Sequence, residues 1–234
     1  MPIWFKCQYA RKGKQILLTL RLQFSVGMIK LFRSAVLAGI TIGTAGFGYL
    51  ASGVQDEVYG TLVGAVLFSF GLLTVVGYRL ALYTGTAGFI RKNEIGDLLL
   101  ILLSNILGCL VVALLTRLSP MDLQTPAQNI LQGRLDTGAL RCGLLAIGCG
   151  FIMTTTVRFA RKGHFLPLLF GVPLFIVCGF PHCMADAFIY MSAPASFLMD
   201  NVWAILPMYL CIVIGNFVGC NLYRIVLEKS QYSE

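Results

Sequence analysis

Six apolar stretches, each long enough to cross a bilayer as a helix, take up most of this chain: residues 34–55, 58–78 with a continuation to 90, 98–116, 142–157, 165–199 and 201–223. Backbone polar groups find no water in hydrocarbon, so segments of this length and character read as transmembrane helices. Charged residues make up only 12% of the 234-residue chain, against about a quarter in soluble domains, which excludes a soluble globule. The expectation is an all-α membrane protein with six transmembrane helices in one domain, residues 33–226. A short tail (227–234) follows it. Residues 1–32 precede it and mix Trp4, Phe5, Ile16, Leu17, Leu20, Leu22 and Phe24 with basic residues, the pattern of an amphipathic helix lying on the inner membrane surface. The early apolar runs are too interrupted for a cleavable signal peptide.

The basic residues orient that domain. Lys6, Arg11, Lys12, Lys14, Arg21, Lys30 and Arg33 precede the first stretch, Arg91 and Lys92 follow the second, Arg158, Arg161 and Lys162 follow the fourth, and Arg224 and Lys229 follow the sixth. The other side holds Arg117, Arg134 and Arg141 beside Asp56, Glu57, Asp122, Asp136 and Asp200. Both termini are therefore expected in the cytoplasm. The formal charge of +8 reads as a topology signal, with no call for nucleic acid as a partner. A basic cytoplasmic rim also raises the local concentration of small anions, screened by salt. Cys109, Cys142, Cys149, Cys178, Cys183, Cys211 and Cys220 lie in or at the ends of apolar stretches without CxxC spacing, so neither a disulfide framework nor a metal site is indicated.

Inside the fifth stretch stands Gly179-Phe180-Pro181-His182-Cys183-Met184-Ala185-Asp186, which puts a histidine and an aspartate deep in an apolar segment. Ionisable groups at that depth are costly and mark solute or proton pathways. Pro181 and Gly179 argue for a broken helix, tolerated there only when buried or facing a polar cavity. The second stretch is longer than a bilayer needs, and Gly77, Gly85 and Gly88 make it a second broken helix; Arg79 lies inside it, as a snorkelling side chain, a buried partner of Asp186 or a group that attracts an anion directly. Ser104-Asn105-Ile106-Leu107-Gly108-Cys109 in the third stretch matches Gly215-Asn216-Phe217-Val218-Gly219-Cys220 in the sixth. Both carry Asn-x-x-Gly-Cys. Two halves of three spans each must be inverted with respect to one another, the design in which broken helices meet near the midplane around a solute site. The first stretch, rich in Gly and Ala, is expected to pack closely on its neighbours. Residues 118–136 read as the longest loop, capping the outer mouth or packing on a neighbour. His164 and His182 are roughly 27 Å apart on a continuous helix, which counts against a shared metal or a two-histidine haem.

With these elements in view, the chain resembles the formate/nitrite transporter family across nearly its whole length. Phe68-Ser69-Phe70-Gly71-Leu72 followed by Leu82-Tyr83-Thr84-Gly85 is similar to the family's second-span signature, F-S-x-G-L leading to L-F-T-[GS]. The stretch from Gly179 to Asp186 is similar to G-F-E-H-S-x-A-N, and the segments around Asn105 and Asn216 to its G-N-x-x-G elements. The resemblance implies a homopentamer of aquaporin-like subunits in the bacterial cytoplasmic membrane. Each subunit has its own pore for small monovalent anions or their weak acids, of the formate, nitrite, acetate or hydrosulfide type. It implies a pathway through His182 and Thr84, and Asp186, Arg79, Asn105 and Asn216 are further candidates along it. Constrictions would come from Phe68, Leu72, Leu82, Tyr83 and Phe175, and a cytoplasmic mouth from His164 and Lys162. Four positions depart from the family pattern: Pro181 replaces a glutamate, Asp186 an asparagine, Ala81 an acidic residue and His164 a lysine. A bare anion loses much hydration in an apolar constriction whereas a neutral acid does not, so proton linkage beside His182 is expected.

Three other functions compete: a pore for a neutral solute, a haem-binding redox protein using His164 and His182, and a structural or sensory subunit with an occluded pore. Ser69, Ser104 and Ser192 lack the local context of a nucleophile with His182, so no enzyme is expected, and no cofactor.

Overall fold

The computed structural model describes residues 3–56 and 59–227, with side chains from Gly27 onward except that of Lys92. All regular structure among them is helical. The order is α1 (Ile3–Gln55), α2 (Gly60–Gly77), α3 (Tyr83–Ala87), a 3₁₀ turn (Lys92–Glu94), α4 (Ile95–Thr116), α5 (Gln124–Thr137), α6 (Ala139–Arg161), α7 (Leu166–Val177), α8 (Cys183–Ser192), α9 (Ala195–Cys220) and α10 (Leu222–Val226). Among the described residues, five helices are long and apolar enough to cross a membrane: Gly27–Gln55 of α1, then α2, α4, α6 and α9. The remaining passage is shared by α7 and α8. The amphipathic face expected over residues 1–32 and most of the tail from 227 lie outside the described side chains, although α1 runs unbroken from Ile3.

Two expectations need correction. Residues 118–136, read as a loop, contain α5. Leu123, Ala127, Ile130 and Leu131 recur at helical spacing and pack inward, and Pro126 sits in the first turn, where its missing N–H is no loss. Asp122 Oδ1 accepts from the Gln124 and Thr125 N–H groups at 3.1 and 3.2 Å and so caps that turn. The fifth apolar stretch, read as reaching residue 199, stops at Ser192. Pro194 bars the preceding residue from helical geometry, so Ala195 starts the last long helix.

The two halves repeat one construction. Two residues beyond the ends of α2 and α7 stand residues of positive φ, Arg79 (54°) and Gly179 (68°), and an extended segment then leads to α3 or α8. Extended backbone in a bilayer needs partners from elsewhere, and one asparagine per half supplies them. Asn105 Oδ1 accepts the Tyr83 N–H at 2.8 Å, while its Nδ2 donates to the Ala81 carbonyl at 2.9 Å and the Ala35 carbonyl at 2.7 Å. Asn216 does the same with the Cys183 N–H at 2.8 Å and the carbonyls of Pro181 at 3.0 Å and Ala146 at 2.8 Å. Both asparagines are fully buried.

The neighbouring helices come close enough for these bonds because glycine lies at the crossings. A Cβ on Gly39 would strike the Asn105 carbonyl and one on Gly108 the Val36 carbonyl; Gly150 and Gly219 stand in the same relation to Asn216 and Ile147. Cys109 and Cys220 add a link across the halves. The Cys109 thiol lies 3.5 Å from the Met184 carbonyl in the other half, and the Cys220 thiol 3.4 Å from the Thr84 carbonyl.

The copies differ where the extended segment meets the neighbouring helix. The Ala81 N–H donates to Ser34 Oγ at 3.0 Å, whereas its counterpart Pro181 has no N–H and the residue corresponding to Ser34 is Leu145.

Two predictions follow from the clasp and the crossings. Asn105→Ala leaves the Tyr83 N–H and Ala81 carbonyl without partners, at about 1–3 kcal/mol each. Its thermal unfolding in detergent is expected well below that of the native protein, with Asn105→Asp lower still because an acceptor then faces two carbonyls. Gly39→Val is expected to abolish a monodisperse peak in size-exclusion chromatography. Gly48→Ala, where a Cβ meets nothing within 4 Å, is expected to leave it intact.

Candidate functional site

The extended segments bring one polar side chain from each half together. His182 ends its segment as the N-cap of α8, and its Nδ1 accepts the Ala185 N–H at 3.2 Å. A neutral imidazole with Nδ1 accepting carries its hydrogen on Nε2. That nitrogen lies 2.9 Å from Thr84 Oγ1 in the first turn of α3, so it donates to the threonine. The threonine's own hydroxyl hydrogen is then free for another acceptor. His182 is 2% exposed and Thr84 not at all, so this pair lies inside the molecule.

Apolar side chains surround the pair. The Phe175 ring stacks on the His182 imidazole with centroids 5.5 Å apart, and Phe68 meets Phe175 edge-on at 6.3 Å. Leu72, Leu82 and Tyr83 are also buried, and the Tyr83 hydroxyl donates to the Val213 carbonyl at 3.3 Å. Phe68, Leu72, Leu82, Tyr83 and Phe175 all belong to the apolar core of the molecule.

A cavity opens on each side of this core. The smaller, about 70 Å³, is lined by His182, Phe68, Phe175, Phe180, Arg134 and Asp186 together with Tyr49, Ile130 and Ile189. The larger, about 590 Å³, is walled by the end of α2, the end of α6 and the start of α7, with Arg79, Arg161, Gly85 and Phe165 among its lining. Lys162 and His164 are exposed on the α6–α7 connection at its edge.

The pairing of Asp186 with Arg79 does not form. Asp186, in the first turn of α8, is held by Arg134 of α5, with Nε 3.3 Å from Oδ1, while Arg79 faces the other cavity. Arg134 also donates through Nη1 to the Gly179 carbonyl at 2.7 Å, which ties α5 to the break. Sequence reasoning missed Arg134 because its segment read as a loop; the four-residue spacing of Ala127 and Leu131 was the available signal. It also missed Arg161, read only as a topology charge, whose Nη2 donates to the Gly85 carbonyl at 3.1 Å and whose guanidinium lies 3.9 Å from the centre of the Phe89 ring. Asn105 and Asn216 line neither cavity; their amides are committed to backbone. Among the described residues no group of three or more His, Cys, Asp or Glu is arranged to hold a metal.

Comparison with known proteins places this geometry. The profile of the family described as Formate/nitrite transporter matches residues 15–228. The chain is 30% identical over 200 residues to the uncharacterized transporter YrhG of Bacillus subtilis (strain 168), covering 74% of each protein. A solved pentameric formate channel with formate bound superposes with a TM-score of 0.71 at 25% identity, over 84% of this chain and 94% of that one. A structure described as an FNT family ion channel shares the fold, with a TM-score of 0.72 at 17% identity over 83% of this chain and 87% of that one. These relatives are channels and transporters rather than enzymes, and the two halves with their broken helices are the aquaporin-like fold of such channels. This integral membrane protein, with Asn105 and Asn216 holding two broken helices around Thr84 and His182, belongs to the formate/nitrite transporter family.

Proposed function

We propose that each subunit is a pore for small monovalent anions or their conjugate weak acids, of the formate, nitrite, acetate or hydrosulfide type, with the crossing made beside His182 and Thr84. The observation that carries this reading is the Thr84–His182 hydrogen bond inside an apolar collar. Each cavity gives a solute water and charge, but the collar between them offers a hydroxyl and an imidazole and little else that is polar. A hydrated monoanion entering it loses solvation worth many kcal/mol, whereas the neutral acid has little to lose. A solute that takes a proton from His182, which water then reprotonates, or directly from water at the cavity passes, with the free hydroxyl hydrogen of Thr84 hydrogen-bonded to its oxygen or sulfur atom. Phe68, Phe175, Leu72, Leu82 and Tyr83 act as the constriction, and Lys162 and His164 as part of the mouth of the larger cavity. Asp186 serves the pathway indirectly, by fixing Arg134 at the smaller cavity.

The positive-inside distribution supports a cytoplasmic larger cavity and cytoplasmic termini. A homopentamer is supported by the pentameric formate channel that the chain resembles, and a bacterial cytoplasmic membrane by the relative from Bacillus subtilis. The apolar outer faces fit both neighbours and lipid, with Trp203, Leu206 and Leu210 of α9 and Leu62, Val66 and Phe70 of α2 all exposed on the subunit.

Flux of formate, acetate, nitrite and hydrosulfide into proteoliposomes across a pH series tests the reading. Flux is expected to rise toward acid pH, because the neutral fraction of a weak acid grows as pH falls. His182→Ala is expected to lose most of it. Flux indifferent to pH would favour a neutral-solute pore instead.

Thr84→Val keeps the shape of the side chain and removes the hydroxyl; flux is expected to drop about tenfold, the equivalent of one hydrogen bond at ~1.4 kcal/mol. Phe68→Ala is expected to admit larger monocarboxylates and to flatten the pH dependence, both read in the same assay.

A further inference from the structure

The two break points share a backbone design and differ at the position where the design is most demanding. After α7, Gly179 takes φ 68°, and after α2 its counterpart Arg79 takes φ 54°. Both ends close with the same pair of bonds. In one half the Arg79 N–H donates to the Val76 carbonyl at 3.1 Å and the Leu80 N–H to that of Val75 at 2.8 Å. In the other, the Gly179 and Phe180 N–H groups donate to Ile176 and Phe175, each at 2.9 Å. A left-handed residue that ends a helix in this way is usually glycine, because a Cβ crowds the carbonyl oxygen. Arg79 is the one non-glycine residue with positive φ among the described residues. Its side chain offers the fold nothing in return. It is exposed in the wall of the larger cavity and has no hydrogen bond, ion pair or ring contact within the described part of the chain. Arg161, in the same cavity, is engaged with the Gly85 carbonyl and the Phe89 ring.

We propose that Arg79 is the anion-collecting residue of the larger cavity, a selectivity determinant that carries an uncommitted positive charge where the fold itself favours glycine. The proposal rests on the pore reading for its solute and goes beyond it in naming the group that draws the anion in. Backbone strain retained under a side chain with no structural contact is the mark of a functional position. In a recess with low-dielectric walls a single cation raises the local concentration of small monoanions, and the guanidinium fork presents paired N–H donors that suit a carboxylate or nitrite. The effect extends over about 10 Å at 0.1 M salt and shrinks as salt rises.

The charge can be read without transport. In a Cys7→Ser, Cys178→Ser background, Gly77→Cys puts a thiol on the cavity wall, where an added Cβ meets no atom within 4 Å. Its modification rates by an anionic and by a cationic methanethiosulfonate are compared with and without Arg79→Gln. The anionic-to-cationic ratio is expected to fall roughly fivefold in the glutamine variant, to be kept by Arg79→Lys, and to lose its dependence on residue 79 at high salt. An unchanged ratio would overturn the proposal. Formate flux at low ionic strength is expected to fall in parallel, and flux equal to native in Arg79→Gln would overturn it as well. Arg79→Gly is expected to melt at the native temperature or about 2–4 °C above it, and a lower melting temperature would show that Arg79 supports the fold instead. A native protein that passes neither formate nor nitrite would sink the pore reading alone, since the thiol ratio and the melting temperature still decide the role of Arg79.

Discussion

Two buried amides hold this subunit together at its middle. Each of the two breaks needs an extended segment with free N–H and C=O groups at a depth where water is absent, and a helix alone cannot satisfy them. Asn105 and Asn216 solve the problem identically, each donating to two carbonyls and accepting one N–H. Everything at the centre follows from those six bonds. They fix where α3 and α8 begin, and hence where Thr84 and His182 stand. The glycines at the crossings are the steric condition for them, since a Cβ at Gly39 or Gly150 would fall on the backbone of the clasping residue itself. In lipid, where apolar surface gains little by association, close backbone approach and satisfied polar groups take over the role that hydrophobic burial plays in water.

Charge is kept around the centre and out of it. On the α5 side the arginine is neutralised by Asp186 and spends a second donor on the Gly179 carbonyl. On the α6–α7 side Arg161 is bonded and stacked, and Arg79 has no such commitment. The two cavities are therefore electrostatically unlike, although the helix breaks beside them share one backbone design.

Much of the fold was legible in the sequence. Span length, charge distribution and the repeated Asn-x-x-Gly-Cys element together gave the inverted pair of halves, and Gly179 with Pro181 gave one break. The pairing of His182 with Thr84 was reached through the family resemblance, because nothing in the spacing of two residues so far apart in the chain brings them together. What stayed hidden depended on contacts between distant segments. α5 was lost because Pro126 and Gly133 read as loop punctuation, although Leu123, Ala127 and Leu131 carried a helical period, and with it went the true partner of Asp186. The pathway role given to Asn105 and Asn216 came from their place in a motif. Only coordinates show that their amides face backbone.

The exchange of Ser34 and Ala81 for Leu145 and Pro181 makes the two halves mechanically unequal. At Ala81 the extended segment is steadied by a hydrogen bond that can open and reform. At Pro181 the same place is steadied by a covalent ring that fixes φ and leaves no donor to satisfy, so the polar partner was dispensable. The stiffness on the histidine side is built into the chain, and on the threonine side it depends on a contact with another helix. Of the two groups that meet at the midplane, the imidazole is the fixed jaw, and any play in the gap between them belongs to the threonine.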